Sequence, residues 1–277
     1  MNKLFSQVGA GARHAILLTT TVIVLIPFVW MVSLSFKSPN EMFDSSLSLL
    51  PTNWYAVENY TKAWTASSLP RFMLNGVIVC AAILLLQILF CAPAAYVLAK
   101  LRFKGREFFF SLVLLALLIP SQVLALPLFL LCHSLGLLNT YAALILPFAV
   151  SPFGIFLFRQ FFKTIPDDLI HAARLDGLSE FGIVWRIMVP MALPAIVAFS
   201  IFSVVGHWND LFWPLIVVNS EALMPPPLGI VAFRNEDIGT DFGPLMATAT
   251  LVVAPLVIAF LAAQRWFIEG LTHGAVK

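Results

Sequence analysis

The chain has 277 residues, 60% of them hydrophobic and only 11% charged, against roughly 45–50% and about 25% in ordinary soluble domains. With 25 Phe and 7 Trp, that is more apolar surface than one water-facing core could hide, so a soluble globular enzyme is excluded and lipid must solvate much of the chain. A net charge of +2, from 16 Lys+Arg and 14 Asp+Glu, is too balanced to suggest a nucleic-acid partner.

A membrane-spanning helix needs about 20 apolar residues, because the hydrocarbon core is roughly 30 Å thick and a helix rises about 1.5 Å per residue. Stretches without Asp, Glu, Lys or Arg locate six spans, at about 14–36, 74–99, 108–131, 141–158, 191–213 (with Asp210 near its end) and 243–264. The expected fold is all-α, a polytopic membrane protein. The first stretch is longer than the roughly 7–15 residues of a signal-peptide core and is followed only by a poor small-x-small site at Ser33-Leu34-Ser35, so a retained anchor is expected. His133, Ser134, Gly136, Asn139 and Thr140 read as a short turn between the third and fourth spans. Pro27, Pro93, Pro120, Pro127, Pro147, Pro152, Pro194, Pro214 and Pro255 fall inside the spans and favour kinked helices in a bent bundle around a pathway. Cys80, Cys91 and Cys132 sit in apolar stretches without metal or redox spacing and read as small core hydrophobes.

Orientation follows from the basic residues. The N-terminal segment 1–13, the 100–107 loop, the 159–190 loop and the C-terminal tail 268–277, with the adjoining Arg265, hold twelve of the sixteen. Lys37, Lys62, Arg71 and Arg234 are the other four. Both termini are therefore expected in the cytoplasm, with Ser38–Pro70 and Glu221–Asp241 outside. Trp54, Tyr55, Tyr60 and Trp64 suit an interfacial belt or a docking surface there.

The 159–190 loop carries helix punctuation. Thr164-Ile165-Pro166-Asp167 offers a capping hydroxyl, an acid three residues on and a Pro near the first turn, so a helix should start there, run through Leu175 and stop at Asp176-Gly177. A second helix should start at Ser179-Glu180 and reach Pro190. Ala172 and Ala173 give the first helix a small face that another protein's backbone could approach; an amphipathic surface helix without a partner is the alternative. In the fifth span, Asp210 is a lone acid, and a charge at the bilayer centre costs roughly 2.5–3.5 kcal/mol unless it faces the bundle interior or water. With Trp208, Asn209 and Trp213 it offers amide, carboxylate and aromatic faces suited to a carbohydrate on a substrate pathway. A hydrated or structural Asp210 at the outer end of the span is the alternative, and His207 shares it.

His171-Ala172-Ala173, then Asp176-Gly177, nine further residues and then Ile187, Val189 and Pro190 resemble the EAA loop of permease subunits of bacterial ATP-binding-cassette (ABC) importers. Trp208 to Leu215, Pro51-Thr52-Asn53-Trp54 with Glu58-Asn59-Tyr60, and Phe267 with Gly270-Leu271-Thr272 and Gly274 to Lys277 are similar to motifs of the maltose-type, short-tail carbohydrate branch. His171 stands where the family has an acid, and Glu269 where a basic residue is common. The resemblance implies a transport subunit with no catalytic residue and no metal or cofactor of its own. ATP and Mg would be held by a partner ATPase dimer, coupled through His171, Ala172, Ala173, Asp176, Gly177 and Pro190. It further implies a second homologous permease forming a heterodimer, a periplasmic or extracellular solute-binding protein, and an inner-membrane location. The absence of a GxxxxGK[ST] phosphate loop fits an ATPase on another chain. Sugars, polyols and glycerol phosphates all suit the branch. A stand-alone secondary transporter would want several buried ionisable groups, and an intramembrane enzyme a paired Ser/His, two acids or a metal cluster.

Overall fold

The computed structural model describes residues 2–42, 48–65, 68–235 and 242–272, with side chains at 13–42, 48–65, 68–231, 242–262 and 264. The helices, in order, are α1 (Asn2–Ser35), α2 (Ala56–Thr65), α3 (Leu69–Lys100), α4 (Arg106–Leu117), α5 (Ala125–Ser134), α6 (Tyr141–Ile145), α7 (Pro152–Phe162), α8 (Asp167–Leu175), α9 (Glu180–Ile183), α10 (Val189–Met191), α11 (Leu193–Trp208), α12 (Phe212–Val217), α13 (Pro226–Asn235) and α14 (Phe242–Thr272). No strand occurs among the described residues. α1 already begins at Asn2 and α14 continues to Thr272, so the described parts of both expected tails are helical. Gly274 to Lys277, part of the tail motif, lie outside the described residues.

Two compact units divide the chain, Met1–Leu69 with Ile230–Ala254, and Pro70–Gly229 with Pro255–Lys277. In the first, α1 leaves its apolar side chains uncovered, with Ile16, Leu18 and Ile23 all more than 60% exposed, as a lipid-facing helix requires. The carbonyls at its C-terminal end lack intrahelical donors, and Asn59 supplies them, its Nδ2 donating to Ser35 O at 2.9 Å and Lys37 O at 3.0 Å. Gly243 leaves room for that amide, since a Cβ there would lie 2.6 Å from Asn59 Nδ2. Glu41 holds the Pro51-Thr52-Asn53-Trp54 segment by accepting from Thr52 N at 2.8 Å and Asn53 N at 2.9 Å. These backbone donors, Thr52 first, hold its carboxyl below the usual range.

The second unit packs around α3. One core gathers Tyr96, Phe158, Phe162, Phe199, Ile183 and Met188, all at most 1% exposed, and another gathers Ile83, Leu144, Trp213 and Val217. Gly154 lets α7 approach closely: a Cβ there would stand 2.9 Å from the Phe199 ring and 3.3 Å from Cys91 Sγ. Cys80, Cys91 and Cys132 are all buried. Arg159, first of the residues expected in the cytoplasmic loop, lies instead inside α7 and is 4% exposed. Its guanidinium stacks 3.6 Å from the Phe110 ring centroid and donates to Leu98 O at 3.0 Å.

Three helices are long and apolar enough to cross a membrane singly, within α1, α3 and α14, and three bent pairs can each supply one more span. The breaks in the three pairs are sharper than the kinks that the prolines lead one to expect. The 108–131 span is α4 followed by a 3-10 turn and α5, turned through 96° at Leu118–Pro120. Pro120 has no N–H and disfavours helix in the residue before it, and the chain tightens first, with Leu118 N bonding Leu115 O. The 141–158 span bends by 41° between Phe148 and Pro152. The 191–213 span ends early, α11 stopping at Trp208, and the elbow before it turns through 82°. Pro27, Pro93 and Pro255 nevertheless sit inside unbroken helices.

The turn at 133–140 forms as the sequence indicates. Gly136 adopts φ +67°, with Gly136 N bonding His133 O and Leu137 N bonding Cys132 O, a Schellman ending for α5. Asn139 is left-handed at φ +58°, and the Thr140 hydroxyl caps α6 by accepting from Ala143 N.

Candidate coupling loop and transport pathway

α8 starts at Asp167 with Pro166 as its cap, not at a Thr164 cap: the Thr164 hydroxyl turns back to donate to Phe161 O at 2.7 Å. The helix ends where the sequence places the stop. Gly177 takes φ +80°, Gly177 N bonds Arg174 O and Leu178 N bonds Ala173 O, a second Schellman ending. The Ser179 hydroxyl then caps α9 by accepting from Gly182 N at 3.1 Å. A π-helical turn, Val184–Met188, precedes α10 and the elbow, where Pro190 is exposed.

Within α8, Ile170 and Ala173 are buried in the core of the second unit. Successive helix residues are about 100° apart, so Ala172 faces out while Ala173 faces in. The two alanines therefore do not share one docking face. The outer surface carries Leu169, His171, Ala172 and Asp176, all exposed, and Leu175 at 90% exposure.

Polar contacts fasten both ends of α8 to α3. At one end Lys100 Nζ donates to Ile165 O at 2.5 Å and to Asp167 Oδ1 at 2.6 Å. Lys100 is the first cause of the depressed Asp167 carboxyl. At the other, Arg174 grips Glu180 with Nε to Oε1 at 2.8 Å and Nη2 to Oε2 at 3.2 Å, and Tyr96 donates its hydroxyl to Glu180 Oε2 at 2.5 Å. The Arg174 hydrogen bond, then that of Tyr96, hold the Glu180 carboxyl below its usual range.

A second feature is a cavity of about 590 Å³ whose wall includes Gln87, Ser121, Gln122, Phe148, His207, Asp210 and Trp213. Gln87 ties three elements together: its amide donates to Phe148 O at 3.0 Å, it accepts from the Ser203 hydroxyl at 2.6 Å, and it lies 3.4 Å from His207 Nε2. Asp210 lies in the break between α11 and α12 and not within a continuous span; its Oδ1 accepts from Trp213 N at 3.2 Å. Of the four residues named for the pathway, Asp210 and Trp213 line the cavity. Trp213 is otherwise a core residue whose Nε1 donates to Ala143 O at 2.9 Å. Trp208 is 4% exposed and packs on Gly76, and Asn209 bonds back to Val205 O; neither lines the cavity. Sequence reasoning missed Gln87, although a lone amide in the Leu84-Leu85-Leu86-Gln87-Ile88-Leu89 run was a visible signal.

An all-helical membrane domain with a punctuated surface loop and a half-open cavity with polar lining defines a polytopic transport subunit. The chain belongs to the family of binding-protein-dependent transport system inner membrane components, whose model matches residues 87–273. It is 37% identical to the arabinooligosaccharides transport system permease protein AraQ of Halalkalibacterium halodurans, over 92% of each chain. It is 32% identical to the sn-glycerol-3-phosphate transport system permease protein UgpE of Brucella abortus, over 94% of this chain and 95% of that one. Its fold matches a chain in the crystal structure of a bacterial ABC transporter for import of the acidic polysaccharide alginate, with a TM-score of 0.82 at 23% identity over 93% of this chain and 96% of the other.

Proposed function

We propose that this chain is a permease subunit of an ABC importer carrying a neutral sugar, oligosaccharide or polyol inward across the inner membrane. The observation that carries the substrate class is the composition of the cavity wall. Amide, hydroxyl, carboxylate and aromatic groups suit hydroxyls and C–H faces, and among its described residues His207 and Asp210 are the only ionisable ones, with no Lys or Arg. A phosphorylated substrate, as for the glycerol-phosphate relative, would call for a cation there.

Energy comes from a separate ATPase dimer that holds ATP and Mg, since no phosphate-loop sequence occurs in this chain. A second homologous permease completes the pathway, and an external solute-binding protein delivers the substrate, in keeping with the family description. The bias of basic residues supports a cytoplasmic location for both termini, the 100–107 loop and α8. There α8 serves as the coupling helix. A leucine at 90% exposure beside Leu169 and Ala172 is apolar surface suited to a protein cleft. With His171 in place of the family acid, docking relies on this apolar face and not on a carboxylate. Gly177 and Asp176 shape its end, Ala173 anchors it to the core, and Pro190 lies at the elbow leading to α11. Movement of the ATPase thus reaches α3 and α11 through one element with two positions.

The test is uptake by the reconstituted importer with Asp210→Asn and Gln87→Leu, measured beside binding of candidate sugars and glycerol phosphates to the solute-binding protein. Neutral-sugar binding with uptake lowered in both variants supports the reading. Exclusive binding of a phosphorylated ligand contradicts it.

A further inference from the structure

The turn between α3 and α4 holds an open groove of about 400 Å³ lined by Arg102, Phe103, Gly105, Arg106, Glu107 and Phe108. Its charges are unevenly satisfied. Glu107, the groove's carboxylate, already accepts from Arg106 Nε at 3.1 Å and faces Arg159 Nη2 at 3.5 Å. The nearby Asp167 is paired with Lys100 and also feels Arg102. Arg102 in the groove wall and Lys104, which adjoins the wall between Phe103 and Gly105 in the chain, are exposed and form no ion pair or hydrogen bond among the described residues.

Beside these cations lies an exposed aromatic cluster. Phe103 and Phe109 have ring centroids 6.2 Å apart, and Phe108 meets Phe109 edge-on at 5.8 Å. From Phe108 an uncovered apolar stripe continues along α4 through Leu112 and Leu115, exposed by 64%, 45% and 57%. Residues at i, i+4 and i+7 share one helix face. Cations at the mouth of an apolar stripe on one arm of a bent membrane span match, in charge and order, a phosphate group above an acyl chain.

We propose that this groove binds an anionic phospholipid, its phosphate held by Arg102 and Lys104 and an acyl chain lying along Phe108, Leu112 and Leu115. Both cations point to a phosphate source that is part of the membrane, because the apolar stripe would be idle with a free anion. The site is independent of the cavity and of the transported substrate. Its occupant would brace the turn that joins α3, to which α8 is fastened, with α4.

The experiment measures binding of phosphatidylglycerol and of phosphatidylcholine with the same acyl chains to the full chain in a neutral detergent, by native mass spectrometry. The intact chain should prefer phosphatidylglycerol by roughly tenfold or more. Arg102→Gln with Lys104→Gln should weaken that binding by about 30-fold, at about 1 kcal/mol per basic residue, while Arg102→Lys with Lys104→Arg retains it. Both pairs are exposed changes, and an unaltered elution profile verifies folding. Equal binding of the two lipids, undiminished binding by the Gln pair, or displacement of phosphatidylglycerol by equimolar inorganic phosphate overturns the proposal. So does disulfide cross-linking of Phe108→Cys to a second copy of the chain, undiminished by added phosphatidylglycerol, which would make the stripe an interface between copies.

Discussion

Tyr96 donates a 2.5 Å hydrogen bond to Glu180, a residue 84 positions further along the chain. That contact joins the long helix α3 to the start of α9, and through the Glu180 pair with Arg174 it holds the end of α8. Lys100 holds the other end. α8 is thereby fastened at two points to a spanning helix, the arrangement needed to pass a push on a surface helix into the membrane.

Glu180→Ala should therefore loosen the loop without unfolding the core. The exposed part of the ion pair contributes only about 0.2–1 kcal/mol, while the charged hydrogen bond from Tyr96 contributes roughly 1.5–3 kcal/mol. Substrate moved per ATP hydrolysed in proteoliposomes should fall severalfold. Tyr96→Phe should give a smaller loss, and an unchanged ratio in both variants would remove the fastening role.

Gly177 isolates backbone conformation from packing. At φ +80° nothing lies within 4 Å of a Cβ built there, so substitution costs conformational strain alone, about 1–2 kcal/mol for most residues. Gly177→Val should lower coupled uptake and Gly177→Asn should do so less, because Asn tolerates the left-handed region. Equal behaviour of the two would mean that contact with a partner, and not the turn, makes Gly177 necessary.

Gly154 is the opposite case. A Cβ at 2.9 Å from the Phe199 ring forces the helices apart, at a cost of roughly 1–3 kcal/mol for overpacking. Gly154→Val should lower the thermal midpoint of the purified chain, and adding Phe199→Leu should recover part of it. No change in the midpoint would contradict the close packing of α7.

Acid should release the loop. Asp167 and Glu180 both have carboxyl pKa values below their ordinary 3.8 and 4.5, chiefly through the Lys100 and Arg174 hydrogen bonds. A carboxyl depressed in the folded state stabilises it fully above the unfolded pKa and loses that contribution as pH falls through the folded one. Protection of the α8 amides, taken relative to the intrinsic exchange rate at each pH, should therefore be steady at neutral pH and fall below about pH 4, and Lys100→Met should move the onset upward. Loss of that protection on raising the pH from neutrality would have the wrong sign.

Local signals carried much of the loop and its turns. Gly177, Ser179 and Gly136 form the stops and caps their types indicate, because a left-handed turn or a capping hydroxyl is chosen by a few adjacent residues. Thr164 shows the limit: a hydroxyl near a helix start has a competing carbonyl one turn back, and Phe161 O takes it. The bends were less legible. Pro120 breaks its span while Pro93 sits in an unbroken helix, since the outcome depends on whether neighbouring helices support the freed carbonyl. The cavity was legible only in part. Asp210 stands out as an acid among apolar residues, but Gln87 acquires its place from Ser203 and Phe148, 116 and 61 positions away. Trp208 and Trp213 look alike in sequence, and only packing against Gly76 separates the first from the cavity wall.

The most direct measurement is substrate uptake into proteoliposomes holding this chain with the proposed second permease and ATPase dimer, with the proposed solute-binding protein outside and ATP inside. Uptake that requires ATP and the ATPase, and that falls when Gly177→Val is introduced while the assembly stays intact, is the expected result. Uptake by this chain alone, driven by a proton gradient with no ATPase present, would contradict it and make the protein a secondary transporter.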